Sequence, residues 1–210
     1  ATTGRLLPTG NVRERLDVPD LGAIEASLVD AANACVFVRA ADLGLAGTEL
    51  PAALEAVPGL LDRLARIRRA ASVAMGIAPD LEAAARIVHV PFVGLVAPPR
   101  DSGSLSGETI RAAEIDLTAR VISNGVPHQA LPLTATLCLA VAARIEGSLV
   151  HEAARPTDAA LRVGMPSGIL TADATVTWDG ERWRAERGSF FRTARPLMRG
   201  EVFYDAPPPV

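Results

Sequence analysis

The chain has 210 residues, 49% of them apolar and 21% charged, with a net charge of −3. That composition is enough to bury a core as one large domain or two small ones, and it excludes disorder over most of the length. All 21 basic residues are Arg, so a Schiff-base lysine, a lysine general base and a Walker-type phosphate lysine are excluded from this chain. Five Phe, two Trp and one Tyr on a slightly acidic chain offer neither the basic surface nor the stacking platform of a nucleic-acid binder.

In chain order, residues 5–17 are short and turn-marked, with Pro8-Thr9-Gly10-Asn11 at their centre. Residues 23–28 and 35–39 read as strands, joined by a bend of small and polar residues over 28–34. Residues 50–56 read as a short helix stopped by Pro58-Gly59. Leu60, Leu61, Leu64, Ile67, Ala71 and Met75 recur at three and four and predict an amphipathic helix over 60–75. Arg63, Arg66, Arg68 and Arg69 fall on its wet face, and Gly76 stops it.

Residues 87–96 are strand-like and 97–107 read as a flexible loop; 113–121 alternate as another strand. Leu137 to Ile145 form a helix apolar on every side and closed by Gly147. Such a helix must be surrounded by protein, and it is too short to span a membrane. Further strands are predicted over 160–163, 169–170, 174–178, 183–185, 190–193 and 201–204, with Asp179-Gly180 as a hairpin turn. The expectation is an α+β domain, a mixed sheet rolled around one buried central helix. No signal peptide or membrane-spanning run is recognised, and a cytoplasmic location is expected. Cys35 and Cys138 read as two small buried thiols rather than a disulfide framework or zinc ligands.

Chemistry points to the start of the buried helix. The first N–H groups of a helix lack intrahelical partners and sit at its positive end, where a carboxylate or phosphate is welcome. The stretch leading there carries Ser123, Asn124, Gly125, His128, Gln129 and Thr134. Two readings stand: an anion site, or Thr134 capping the helix while His128 ties down the loop. Asn33 can hold a ligand or stabilise its turn. Arg192-Thr193-Ala194-Arg195 can grip carboxylates or end a solvated strand. His89 reads as structural within an apolar strand, and His151 as exposed. No Ser/His/Asp arrangement, dinucleotide fingerprint or metal-ligand spacing is recognised.

Several pieces together resemble the C-terminal half of the PrpF-type isomerases, within the diaminopimelate-epimerase-like fold. They include Gly4-Arg5-Leu6-Leu7-Pro8-Thr9-Gly10-Asn11, Ser27-Leu28-Val29-Asp30-Ala31-Ala32-Asn33, Val36-Phe37-Val38 and Asp42-Leu43-Gly44-Leu45. The run Ile67-Arg68-Arg69-Ala70-Ala71 with Met75-Gly76, Ala119-Arg120 through His128-Gln129-Ala130 to Thr134, Met165-Pro166-Ser167-Gly168 and Arg192 to Gly200 complete the resemblance. It implies isomerases acting on methylaconitate, methylitaconate or oxalomesaconate by a proton shift beside a carboxylate, without metal or cofactor. It also implies residues 1–12 as an interdomain connection and 13–189 as the C-terminal epimerase-like domain. Residues 190–210 would then be a strand and tail returning toward an N-terminal domain.

By the same resemblance Asn33, Ser123, His128, Thr134 and Ala135 would line the substrate cleft, with Arg120 and Ser167 as further candidates. The family's acid–base Lys and Cys would lie outside this chain, on an N-terminal domain or second chain. Expected partners are that domain, a small polycarboxylate and a second copy of the chain, with no nucleic acid or membrane. The family's small Thr-Gly-Ala step is Thr134-Ala135-Thr136 here, Ala34 stands for a proline, and Met165 stands for a His. The alternative reading is a non-catalytic or repurposed member binding a small anion or a protein.

Overall fold

Alternating apolar residues build an antiparallel meander of β1 (Glu14–Val18), β2 (Gly22–Ala31) and β3 (Asn33–Arg39). This structure is a computed structural model, and it describes residues 2–191, 195–201 and 203–204. The span 28–34, expected as a bend, is mostly paired strand, with Leu28 to Ala31 opposite Val36 to Asn33. The chain reverses at Ala32 alone, whose φ of 64° is left-handed. Asp30, the polar residue that suggested a loop, is buried instead. Its carboxylate accepts from the backbone N–H groups of Thr2 and Thr3 and from the Thr3 hydroxyl.

α1 (Pro51–Ala56) and α2 (Leu60–Ala74) form where their periodicity places them. Arg68 departs from the expected wet face and is only 7% exposed. Its guanidinium donates to the carbonyls of Ala84, Ile87 and Val90, which end the short helix α3 (Leu81–Arg86) and the loop after it. α3 itself has too few turns for a periodic signal. Its start is fixed by Asp80, whose carboxylate accepts the Ala83 N–H at 2.7 Å.

β4 (Phe92–Ala97) begins only after the cis Val90–Pro91 bond, five residues later than expected. His89 is therefore exposed on the preceding loop, not within a strand. The expected loop over 97–107 holds β5 (Ser102–Gly103), paired with β6 (Thr109–Ile110). β7 (Leu117–Ser123), β8 (Val126–Pro127), α4 (Leu133–Arg144), α5 (Leu149–Ala153) and β9 (Leu161–Met165) follow. The two short strands expected after residue 168 are one strand, β10 (Gly168–Trp178), and the Asp179-Gly180 turn joins it to β11 (Trp183–Phe190). The strand expected over 190–193 runs into residues 192–194, outside the described ones. Glu201, Phe203 and Tyr204 lie in no strand.

The large sheet runs β1-β2-β3-β4-β7-β9-β10-β11, with β8 on the end of β7. β3 with β4 and β7 with β9 are parallel and the other pairs antiparallel, so the sheet is mixed. The two-residue period splits its side chains between two cores. Cys35, Phe37, Ala119, Val121 and Val163 pack with α4, while Val36, Val38, Leu95 and Ile122 pack with α2 on the opposite face. The sheet curls until β2, β3, β10 and β11 all touch α4, the expected central helix. α4 is not buried all round, however: Leu133 is 44% exposed and Leu137 half-buried. Among the described residues no helix is long and apolar enough to cross a membrane.

Candidate substrate-binding site

Strand direction decides which residues can meet. β3 and β4 start at the end of the sheet where β7 finishes, because β3 and β4 are parallel and β7 is antiparallel to β4. α4 starts at this same end. The two-residue period then turns Asn33, Phe92 and Ser123 to the face that carries α4. The return of the chain through β8 sets His128 opposite Val121, where its N–H donates to the Val121 carbonyl at 2.9 Å. That places His128 on the same face.

Two polar pairs result. The Asn33 amide donates to Thr134 Oγ1 at 3.5 Å, while its own Oδ1 accepts the Ala34 N–H at 3.0 Å. Asn33 thus shapes its turn and faces the helix start at once. Ser123 Oγ and His128 Nε2 are 2.6 Å apart. The His128 ring lies over Phe92, with centroids 6.2 Å apart and planes tilted by 30°. The sequence pattern does not single out Phe92, because its place beside Ser123 is set by where β4 starts and by its register with β7.

Thr134 does not cap α4. The helix starts at Leu133, four residues before the expected Leu137, and its N-cap is Pro132, with no side-chain cap hydrogen bond. The Pro132 carbonyl accepts from Thr136, through both its N–H at 2.8 Å and its hydroxyl at 3.0 Å. Ala135 is buried at the third helical position. The start of the helix therefore offers backbone donors at its positive end, flanked by the Asn33–Thr134 and Ser123–His128 pairs.

Arg120 and Ser167 are not drawn into this group. Even-numbered residues of β7 face away from α4, and Arg120 is 1% exposed on that side. Its guanidinium donates to the carbonyls of Glu49 (2.7 Å), Thr48 (2.9 Å), Ala119 (2.8 Å) and Gly164 (3.2 Å). Burial pushes its pKa down to about 10, opposed in part by the charge of Glu49, so it stays cationic at neutral pH. Ser167 is exposed in the two-residue turn between β9 and β10. Of the Arg192–Arg195 run, residues 192–194 lie outside the described ones.

The two cysteines are buried and unpaired, as expected. Cys138 donates to the Val29 carbonyl at 3.4 Å. The neighbouring Cys138 thiol and burial push the Cys35 thiol well up. Burial lowers the His128 pKa below its ordinary value, favouring the neutral imidazole. The sign of the linkage follows: the stability this group contributes is fully present above the unfolded histidine pKa of about 6.5 and is lost as pH falls through the lower folded value. An NMR titration is expected to place the His128 midpoint below that of an unfolded histidine. A midpoint above it would mean that the ring gains a charge partner in solution.

The wrapped central helix with polar groups at its start matches known proteins along nearly its full length. The solved crystal structure of methylitaconate-delta-isomerase superposes with a TM-score of 0.80 at 34% identity, covering 90% of this chain and 51% of that one. The fold is therefore the diaminopimelate-epimerase-like one. The family model described as PrpF protein matches residues 1–205, and the chain belongs to the PrpF family. A 2-methyl-aconitate isomerase of Shewanella oneidensis is 36% identical over 200 residues, 95% of this chain and 50% of that protein. A 3-methylitaconate isomerase of Eubacterium barkeri is 36% identical over 209 residues, 98% of this chain and 54% of that protein. A (4E)-oxalomesaconate Delta-isomerase of Novosphingobium is 30% identical over 212 residues. The chain spans about half the length of the curated relatives it matches.

Proposed function

We propose that this chain supplies the carboxylate-binding side of an isomerase site acting by proton shift on an unsaturated polycarboxylic acid. The observation that carries the reading is the uncapped start of α4 between Asn33–Thr134 and Ser123–His128. The relatives' names, which are those of methylaconitate, methylitaconate and oxalomesaconate isomerases, support the class of acid. Removing a proton beside a carboxylate spreads negative charge onto its oxygens, and backbone donors already aimed at that position stabilise the charge as it develops. The reaction also needs a base to take the proton and an acid to return it at the far end of the allylic system. His128 is the one titratable side chain in the two polar pairs. The resemblance to the PrpF-type isomerases implies a main acid–base pair of Lys and Cys, which we place on a second unit. Arg120 and Ser167 are not assigned to substrate.

Thr134→Val keeps the shape of the side chain and removes its hydroxyl. Calorimetry with tricarballylate is expected to show affinity weakened by about tenfold, with the thermal midpoint nearly unchanged. Unchanged affinity removes the helix-start site. Isomerisation of methylitaconate by this chain alone would remove the assignment of acid and base to a second unit. Binding without turnover even when that unit is supplied would favour a purely anion-binding role.

A further inference from the structure

We propose that His128 is a positioning residue for the carboxylate site, acting through Ser123 and held in place by Phe92. This inference rests on the carboxylate-binding reading above and adds a direction to its hydrogen bonds. A carboxylate only accepts, so a hydroxyl that serves it must give up its own hydrogen. Ser123 Oγ must then accept from its other partner, and that partner is His128 Nε2 at 2.6 Å. The assignment follows: His128 carries its hydrogen on Nε2 and donates to Ser123, and the Ser123 hydroxyl hydrogen is left pointing to the ligand. The reverse tautomer would make the imidazole compete with the carboxylate for that same hydrogen.

Three features make the arrangement a built one. Ser123 is buried at 6% exposure, which limits the water available to compete for its hydroxyl. The His128 N–H to Val121 carbonyl bond fixes the histidine backbone two positions along from Ser123, with the Ile122–Pro127 pair between them. Phe92 lies beside the ring and restricts its rotation. Burial of the imidazole favours its neutral form, which leaves backbone and hydroxyl dipoles as the anion-binding elements at the helix start.

The test uses the full chain with tricarballylate as probe, followed by calorimetry and by the ring nitrogen shifts of His128. The nitrogen spectra are expected to show the neutral Nε2–H tautomer with and without probe. His128→Phe and Ser123→Ala are each expected to weaken binding by about tenfold, and the double variant by no more than either alone. His128→Gln, whose amide nitrogen reaches the position of Nε2, is expected to recover most of the affinity, whereas His128→Asn, which is too short, is not. Rescue by Gln and not by Asn separates positioning from simple packing against Phe92. Independent, multiplying losses in the double variant would overturn the proposal, as would an Nδ1–H tautomer. If the wild-type chain binds no tricarballylate, the carboxylate reading itself fails and this inference with it. If the wild type binds and Thr134→Val weakens it while His128→Phe does not, only this inference fails.

Discussion

Arg120→Met is expected to lower the unfolding free energy by about 3–5 kcal/mol, read as a fall in the urea midpoint at unchanged slope. Four carbonyls now accept from the guanidinium, and two of them, on Thr48 and Glu49, belong to the segment leading into α1. Met fills most of the volume but donates nothing, and an orphaned buried carbonyl costs about 1–3 kcal/mol. The gain from no longer burying a charge offsets only part of this. Total stability for such a domain is about 5–15 kcal/mol, so the loss is a large share of it. The variant that remains folded should bind tricarballylate as the wild type does, because Arg120 lies across the sheet from α4. A loss of affinity with stability intact would return Arg120 to the site.

The second large effect is expected at Gly94. It sits on β4 directly opposite Phe37 on β3, on the face toward α4. A Cβ placed there would lie 2.5 Å from the Phe37 ring, well inside contact distance, and Phe37 is fully buried with nowhere to swing. Gly94→Val should cost about 3 kcal/mol by overpacking. Phe37→Leu in the same chain should restore part of that loss, since the two residues share one space. If the two substitutions simply add, the clash is not the cause. The glycine's role here is the room it leaves for an aromatic ring, since its backbone needs no left-handed conformation.

Much of this was legible from residue order, for identifiable reasons. α2 and α4 carry long apolar patterns, and the Asp179-Gly180 turn has a local chemistry that any context respects. The gathering of Ser123, His128 and Thr134 near the start of α4 was also legible, since the three crowd into one short stretch of sequence. What escaped were facts decided by tertiary partners. Arg68 and Arg120 are ordinary surface cations by composition, and only the carbonyls gathered around them make them buried straps. Asp30 suggested a loop because the N-terminal residues that satisfy it are nearly thirty positions away. Thr134 looked like a cap because the helix start was placed too late, and Pro132 is a less familiar N-cap. Residue parity along β7 alone would have separated Ser123 from Arg120.

The two polar pairs at the head of α4 differ in how far apart their members stand along the chain. Ser123 and His128 are five residues apart, whereas Asn33 and Thr134 are separated by 101. A nascent hairpin can bring the first pair together within microseconds, but the second requires the sheet to have wrapped the helix. Loop-closure entropy therefore makes half of the site a local object and half a report on completed topology. A collapsed, incompletely wrapped intermediate can carry the histidine–serine pair yet lack the cradle. The proposed anion site is thus complete only late in folding, because it depends on the strand order that brings Asn33 to Thr134.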